Sequence, residues 1–335
     1  MAASANMLGL TPEMFRQTLV AYGLCAIWIG LSSGVILFNK WILAYMPFPY
    51  PVALTLMHQV FCALAAVIMV KGMKMTEPPA LTVETYFRTI VPIGGTFAGT
   101  LWLGNAAYMY LSVSFIQMLK ASMPVAVFLV GSTMGTEKYS HSRMGNMAVI
   151  TIGIAIASYG ELNFVLFGVM LQMASILTES TRLSLVQILL QSRGLKLNPL
   201  TTLYYVAPCC ALFLAVPFAF IELPKMLSDE DLKLDFFTFF ANCCVALGLN
   251  LCVFLLIGKT SALTMNVAGV VKDWLLIGLS VVLFGSPVTS VNLFGYSIAF
   301  FGVCYYQYIK LRAGQKAAEE KAAEQKDTAQ GSQKI

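Results

Sequence analysis

Residues 114–128 read SFIQMLKASMPVAVF, and residues 264–280 read TMNVAGVVKDWLLIGLS. Each stretch is apolar enough to form most of a membrane helix, yet each contains a lysine, Lys120 in the first and Lys272 in the second. A basic side chain at the centre of a bilayer costs about 2.5 to 3.5 kcal/mol on insertion scales, so a lysine retained there usually faces a water-filled cavity. The two stretches therefore predict a membrane protein with charge inside its helix bundle.

The composition of the whole chain supports this class. The chain has 335 residues, of which 58% are hydrophobic and 11% charged, whereas charged residues make up roughly a quarter of soluble domains. Apolar runs of about twenty residues cross a hydrocarbon layer of roughly 30 Å as helices. The sequence predicts an all-α membrane protein with ten transmembrane helices, over residues 17–38, 50–70, 89–111, 114–134, 146–160, 162–190, 199–221, 236–257, 261–284 and 289–310.

The basic residues predict the orientation, because cytoplasmic loops retain Lys and Arg. Of 21 basic residues, fifteen fall on the side of the two termini, and only Lys225 and Lys233 fall on the other. Both termini are therefore expected in the cytosol. The net charge of +5 reflects this topology, and no basic helix or groove-reading motif supports nucleic-acid binding.

Ten helices with both ends on one side suggest two sets of five, and because five is odd the second set must be inverted. Lys120 and Lys272 then lie in the fourth helix of each set. Glycines follow the two lysines at similar intervals, Gly145 and Gly153 in one set and Gly295 and Gly302 in the other. We expect a cytosolic N-terminus (1–16), a first half (17–160), a second half (161–312) and a flexible cytosolic tail (313–335).

The residues around the two lysines predict how they are used. Gln117 lies one helical turn before Lys120, and Pro124 follows four residues later, so amide and ammonium share a face beside a kink. A lysine snorkelling to the interface is the alternative for Lys120. Asp273 follows Lys272 directly, and adjacent residues diverge by about 100° on a helix. Asp273 is therefore expected to face the cavity or to pair with a cation on another helix.

Arg182 follows Glu179 by three residues, a spacing at which an ion pair within one helix explains both. Arginine is also suited to bidentate phosphate binding, and both interpretations remain open. The interior groups are the basic Lys40, Lys120, Arg182 and Lys272 and the acidic Glu179 and Asp273. This excess of positive charge predicts an anionic cargo.

Polar residues could complete such a cavity. Trp102, Asn105 and Tyr108 recur every three residues in the third segment, and Asn250 lies in the eighth. Sugar or base rings would suit this mixture of aromatic and amide groups, although hydrogen bonds between packed helices explain it equally well.

The sequence gives little support to an enzyme. Its two histidines, His58 and His141, have no hydrolase, zinc-protease, P-loop or dinucleotide-binding motif around them. The adjacent cysteines Cys209 and Cys210 point to different faces of a helix, as do Cys243 and Cys244. We therefore expect no catalytic residues, no cofactor and no metal site, and His58 is interpreted as a satisfied polar contact.

Four segments carry a family resemblance: NKWIL (39–43), SVSFIQMLKASMP (112–124), TESTRLSLVQILLQSRGLKLNPLTTLYYVAPC (178–209) and VAGVVKD (267–273). They resemble the triose-phosphate translocator and nucleotide-sugar transporter families of the drug/metabolite transporter superfamily. They look like the plant-type subgroup named for its Lys-Asp pair, whose members are usually called probable sugar phosphate/phosphate translocators. The resemblance implies an inverted-repeat, ten-helix transporter.

The resemblance also implies a substrate site. The substrate phosphate would lie between Lys120 and Lys272, assisted by Arg182, and Asn105 and Asn250 match polar positions of the family pattern.

The departures from the plastid triose-phosphate carriers concern the same region. Asp273 stands where they have Arg, Leu101 and Gly104 stand at their His and Thr, and Leu249 stands at a Tyr. Replacing Arg by Asp changes the local charge by two units and should weaken the grip on a small dianion. Triose-phosphate exchange is thus disfavoured, and sugar phosphates of five or six carbons or a nucleotide sugar remain open.

The expected function is a secondary antiporter that exchanges a phosphorylated sugar for phosphate or a nucleoside monophosphate by alternating access. A transporter of another organic anion and a non-transporting protein of the same fold are the alternatives. The expected partners are the anionic substrate and the lipid bilayer, with a homodimer left open. The N-terminus is too short for a transit peptide, and the first apolar segment has the features of a retained signal anchor. The Golgi or another endomembrane is therefore expected rather than the plastid envelope.

Overall fold

The computed structural model describes residues 12–136, 141–193, 199–256, 262–309 and 312. Residues 1–11 of the expected N-terminal segment and the whole expected tail 313–335 lie outside these ranges. Within them, every regular element is helical. The main helices are α1 (Pro12–Tyr45), α2 (Pro51–Val67), α3 (Val91–Ala107), α4 (Val113–Lys120), α5 (Met123–Thr133), α6 (His141–Tyr159), α7 (Leu166–Arg193), α8 (Pro199–Pro217), α9 (Phe236–Leu256), α10 (Ala262–Phe284) and α11 (290–309).

Shorter elements extend three of these helices. Two are short helices, Val83–Thr85 and Leu223–Leu227, and three are π-helical turns, Ile68–Gly72, Tyr86–Ile90 and Phe218–Glu222. The turn Tyr86–Ile90 runs directly into α3, and the other two turns continue α2 and α8.

The exterior of the bundle is apolar. Phe220, Phe237 and Val282 are 80%, 79% and 79% exposed, as expected for side chains that contact lipid. In the described part of the chain, four helical stretches are long and apolar enough to cross a bilayer: Val20–Tyr45, Pro51–Gly72, Val113–Thr133 and Leu200–Leu227. The fold is that of an all-helical membrane protein.

Helix α1 is longer than the sequence predicted. The first segment was expected to end at residue 38, but α1 continues through Tyr45. Asn39 and Lys40 therefore lie inside a helix, where they are 5% and 9% exposed. The polar pair does not end the helix because its side chains find partners on neighbouring helices.

The fourth predicted segment is broken in the middle. Helix α4 ends at Lys120, and α5 begins at Met123. Pro124 has no N–H with which to bond the carbonyl of Lys120 one turn earlier, so the chain makes a tight turn instead, with Ser122 N–H donating to the Leu119 carbonyl at 3.0 Å. The predicted kink is confirmed as a break, and it places Lys120 at a helix end within the span Val113–Thr133.

The helices pack in a regular scheme. Helix α1 packs against α9 and α10, α2 against α8 and α9, and α3 against α7 and α8. Helix α4 packs against α10, and α5 against α7. Glycines let α3 and α7 approach closely, since a Cβ on Gly99 would lie 3.3 Å from Thr178 Cγ2 and one on Gly104 would lie 3.0 Å from Ser175 Oγ.

Helices α6 and α11 touch through their backbones. A Cβ on Gly153 would lie 2.5 Å from Ala299 N and 2.7 Å from Gly295 O, and a Cβ on Gly295 would overlap Ala157 N and lie 2.6 Å from Gly153 O. The contact is reciprocal, because Gly153 meets Gly295 and Ala299 while Gly295 meets Gly153 and Ala157. Small residues four apart on both helices permit this approach.

Of the four glycines that follow the two lysines, Gly153 and Gly295 form this contact. A Cβ on Gly145 would meet nothing within 4 Å, so Gly145 takes no part in it.

A buried carboxyl group lies in the loop between α6 and α7. Glu161 is 8% exposed, and Asn292 Nδ2 donates to its Oε2 at 3.5 Å. Its other oxygen has no hydrogen-bond partner among the described residues. Burial raises the pKa of Glu161 from 4.5 to about 7.

Candidate binding cavity

A cavity of about 360 Å³ lies between α1, α3, α7 and the break that separates α4 from α5. Its wall is apolar on the side of Val35, Ile36 and Phe97. Its polar lining includes Asn39, Asn105, Tyr108, Lys120, Gln172 and Glu179.

Lys120 supplies the cavity's unshared positive charge. The break after α4 directs this residue into the cavity, where its ammonium lies 5.9 Å from the centroid of the Tyr108 ring. It interacts electrostatically with two carboxylates, those of Asp273 and Glu179. Neither carboxylate forms a direct ion pair with Lys120 among the described contacts, so the ammonium can accept an anion.

Lys272 and Asp273 lie on α10 and, unlike Lys120, are not part of the cavity lining. Lys272 Nζ is 3.5 Å from Asp273 Oδ1 and 5.7 Å from the centroid of the Trp28 ring. The expectation that these neighbours do not pair is wrong, because the long lysine side chain bends back far enough to reach the carboxylate. Lys272 is not among the cavity-lining residues, and Asp273 links it electrostatically to Lys120.

The expected pair on α7 is confirmed. Arg182 Nε donates to Glu179 Oε2 at 2.7 Å, and Nη2 donates to Oε1 at 2.5 Å. The guanidinium carbon lies 5.0 Å from the centroid of the Phe97 ring. Glu179 lines the cavity, whereas Arg182 lies behind it, so an anion that displaces the carboxylate would gain a bidentate partner.

Lys40 does not contribute to the cavity charge as the sequence suggested. Its ammonium donates to the Tyr108 carbonyl at 2.6 Å and to the Leu111 carbonyl at 3.0 Å. These carbonyls belong to the turn after α3, where helix-end acceptors lack internal partners. Without Lys40, the charged groups around the cavity have a net charge of one positive unit, whereas the sequence count that included Lys40 gave two. They are the cations Lys120, Arg182 and Lys272 and the carboxylates Glu179 and Asp273.

Asn105 is the polar residue that the sequence placed best. It lines the cavity, and its Nδ2 donates to the Leu101 carbonyl at 3.0 Å. The third segment ends earlier than expected, since Tyr108 is the C-cap of α3. Trp102 packs instead in an apolar cluster with Val52 and Cys210.

Two other predicted site residues lie elsewhere. Asn250 is exposed on α9 and donates to the Ala246 carbonyl at 2.9 Å and to Cys62 Sγ at 3.8 Å. Gln117 is 1% exposed in α4, beside Tyr108 but without a hydrogen bond of normal geometry. Neither residue lines the cavity.

Sequence reasoning missed a chain of hydrogen bonds beside the cavity. Asn242 Nδ2 donates to Asn39 Oδ1 at 3.0 Å, and Asn39 Nδ2 donates to Asn105 Oδ1 at 3.1 Å. His58 Nε2 contacts Asn242 Oδ1, which confirms His58 as a satisfied polar contact. The sequence does show these four amide and imidazole side chains within apolar segments, which indicates buried polar contacts. Their spacing does not show which of them pair, because they lie on four different helices.

Gln172 was also missed. It is 1% exposed and lines the cavity, and its Oε1 has no hydrogen-bond partner among the described residues. A buried acceptor without a partner suits a ligand hydroxyl, because leaving it unpaired costs about 1 to 3 kcal/mol.

Two positions that differ from the plastid carriers are cavity positions. Leu101 and Gly104 both line the cavity. A side chain larger than glycine at 104 would crowd Ser175 Oγ. The cavity wall therefore has fewer hydrogen-bonding groups at these two positions than it would have with the His and Thr of the plastid carriers.

Metal coordination has no support in the described residues. They contain no group of three or more His, Cys, Asp and Glu side chains that could hold an ion.

A helix bundle with an apolar exterior and paired charges around a cavity is the architecture of a polytopic membrane protein. Residues 19–307 match the Triose-phosphate Transporter family, and the chain belongs to that family. The family expected from the sequence motifs is thereby confirmed.

Similar proteins agree with this membership. Two Arabidopsis thaliana proteins, each named "Probable sugar phosphate/phosphate translocator", are 50% identical over 320 residues, covering 95% of this chain and 91% of the relative, and 51% identical over 314 residues, covering 93% and 90%. A solved crystal structure shares the fold with a TM-score of 0.50 at 14% identity, covering 86% of this chain and 95% of that one. The likeness to that structure is one of fold alone.

Proposed function

We propose that the protein is a secondary antiporter that exchanges a phosphorylated sugar for phosphate or a nucleoside monophosphate. The observation that carries this proposal is Lys120, which lies at a helix break, lines the cavity and has no direct carboxylate partner among the described residues. The names of the relatives support a sugar phosphate and phosphate as the exchanged pair.

The charges favour exchange over one-way transport. With a phosphate bound, Lys120 is neutralised, and the Arg182–Glu179 and Lys272–Asp273 pairs surround it. Without an anion, movement through the occluded state would carry an unpaired ammonium in a low-dielectric environment, which is costly. The binding site therefore reorients to the other side of the membrane faster with a counter-substrate bound than when it is empty.

The polar groups support a sugar as the other part of the substrate. Gln172 Oε1 offers an acceptor to a sugar hydroxyl, and the Tyr108 and Phe97 rings provide apolar surface. Asp273 lowers the positive potential beside Lys272, so a ligand that gains contacts beyond its phosphate is favoured over free phosphate.

The proposed architecture is ten transmembrane helices in an inverted repeat with cytosolic termini, divided as 17–160 and 161–312. Counting α4 and α5 as one broken helix, the packing scheme is unchanged when the halves are exchanged. The contact of α1 with α9 then corresponds to that of α7 with α3, and α1 with α10 corresponds to α7 with α5. The reciprocal contact of Gly153 and Gly295 supports a pseudo-twofold axis between α6 and α11.

We place the protein in the Golgi or another endomembrane, on the grounds of its first apolar segment, which has the features of a retained signal anchor. A fluorescent fusion co-imaged with Golgi, reticulum and plastid markers tests this placement, and a signal at the plastid envelope would contradict it.

Transport is tested with purified protein in proteoliposomes. Vesicles preloaded with phosphate, nucleoside monophosphates or sugar phosphates receive labelled sugar phosphates and nucleotide sugars outside. We expect uptake that needs an internal counter-anion. Uptake into empty vesicles at the same rate would contradict antiport, and exchange of non-phosphorylated organic anions alone would support the alternative cargo.

A further inference from the structure

The hydrogen bonds beside the cavity form what is here called the amide chain, consisting of His58, Asn242, Asn39 and Asn105. Its members lie on α2, α9, α1 and α3. They are 7%, 0%, 5% and 8% exposed. Burying amides is costly unless they are hydrogen-bonded, and apolar residues would pack these helices at lower cost. Only Asn39 and Asn105 reach the cavity.

The hydrogen bonds of the amide chain all run in one fixed direction. The Leu101 carbonyl can only accept, so the Asn105 side chain must turn its Nδ2 toward Leu101 and its Oδ1 toward Asn39. Asn39 must then offer Nδ2 to Asn105 and Oδ1 to Asn242.

The pairing of donors with acceptors also fixes the other end of the amide chain, at His58. Asn242 gives its Nδ2 to Asn39 and turns its Oδ1 to the imidazole, so His58 Nε2 must carry a hydrogen. Each amide is thus held at both ends and cannot rotate without breaking a buried hydrogen bond.

The direction determines what the cavity offers to a ligand. Each asparagine has two N–H donors, and Asn39 and Asn105 each use one of them within the described structure. The second N–H of each remains for a group in the cavity that they line together with Lys120. Two donors and an ammonium match the oxygens of a phosphate, which only accept when it is fully ionised.

We propose that the amide chain holds the Asn39 and Asn105 N–H groups toward the substrate phosphate, with Asn242 and His58 as positioning residues that never touch the substrate. This inference rests on the proposed function. It adds that phosphate affinity depends on a residue of α9 outside the cavity.

The test compares two fully buried asparagines. Asn242 and Asn292 are both 0% exposed, and each donates to an oxygen on another helix, but only Asn242 belongs to the amide chain. The dissociation constant for inorganic phosphate is measured by thermal stabilisation of the purified full chain in detergent. We expect Asn242→Leu to weaken phosphate binding about tenfold, the effect of losing one hydrogen bond to a charged group. Asn292→Leu is expected to lower the melting temperature and leave the constant unchanged.

Asn242→Asp provides a second variant with the volume of the wild type, and it decides the question if Asn242→Leu does not fold. The carboxylate that this substitution introduces would accept from His58 and also from Asn39, so the Asn39 amide would turn over. Its oxygen would then face Asn105 Oδ1, which also only accepts, and the hydrogen bond between the two asparagines would be lost. We expect phosphate binding at least about tenfold weaker than in wild type.

Wild-type phosphate affinity in a folded Asn242 variant would overturn the inference while leaving the proposed function intact. Equal weakening by Asn292→Leu would also overturn it, because the effect would then be general destabilisation. Wild-type protein that binds neither phosphate nor sugar phosphates would overturn the proposed function and this inference with it.

Discussion

Lys40 Nζ donates to the carbonyl oxygen of Tyr108 at 2.6 Å, across the interface between α1 and the end of α3. This bond explains how a lysine inside a long helix is retained without facing the cavity. A charge-assisted hydrogen bond contributes about 1.5 to 3 kcal/mol.

Lys40→Met should therefore lower stability and leave substrate affinity unchanged. Methionine keeps much of the length of the side chain but leaves the Tyr108 and Leu111 carbonyls without a donor. We expect a melting temperature in detergent several degrees lower, with an unchanged Michaelis constant in the folded fraction. Lost exchange at wild-type stability would place Lys40 in the transport site.

Lys120→Ala and Lys272→Ala should each abolish exchange in correctly inserted protein. The first removes the cavity's ammonium, and the second leaves Asp273 unpaired and free to repel the substrate. Labelled-phosphate exchange in proteoliposomes measures both, with the exposed Lys71→Ala as the matched control. Wild-type exchange by Lys272→Ala would remove that lysine from the mechanism.

The ion pair between Arg182 and Glu179 on α7 predicts that a variant lacking both charges is more stable than a variant lacking only the arginine. Arg182→Gln alone leaves the half-buried Glu179 without its partner, and breaking a buried pair costs about 3 to 5 kcal/mol. Glu179→Gln combined with Arg182→Gln should recover most of the lost melting temperature but not exchange. Recovery of both would assign the pair a structural role only.

Asp273→Asn should change selectivity. The substitution removes a negative charge at similar volume near Lys120 and Lys272, so the site gains attraction for any phosphate. Free phosphate gains most, because it has no other contacts, and its affinity should rise more than that of the preferred sugar substrate. Competition between the two ligands measures the ratio, and an unchanged ratio would show that Asp273 is structural.

Glu161 predicts a pH dependence of stability. Because burial raises its pKa to about 7, the folded protein binds this proton more tightly than the unfolded chain does. Its contribution to stability is complete below about pH 4.5 and is lost as the pH rises through about 7. Glu161→Gln should melt like wild type at pH 5 and at a higher temperature at pH 8. The exposed Glu230→Gln is the control, and equal pH profiles for wild type and Glu161→Gln would refute the assignment.

The sequence predicts what depends on local chemistry. Pro124 breaks the helix after Lys120 because a missing N–H acts on its own segment, and Arg182 pairs with Glu179 because three residues bring them onto one helix face. The partners of Lys40 and of Asn39 lie on helices distant in sequence. No spacing along the chain specifies such partners, and the same limit applies to the contact of Gly153 with Gly295.

The contact of Gly153 with Gly295 has a mechanical consequence. At Gly153 and Gly295 the two helices meet through backbone atoms and cannot approach further. Asn146 and Asn292 tie the same two helices together by donating to the Gly302 and Ala157 carbonyls at 3.0 and 2.6 Å. Under the proposed alternating access, we expect α6 and α11 to stay fixed against each other at this contact while the two halves move. The helix ends on either side of the cavity are then expected to travel further than the glycine pair.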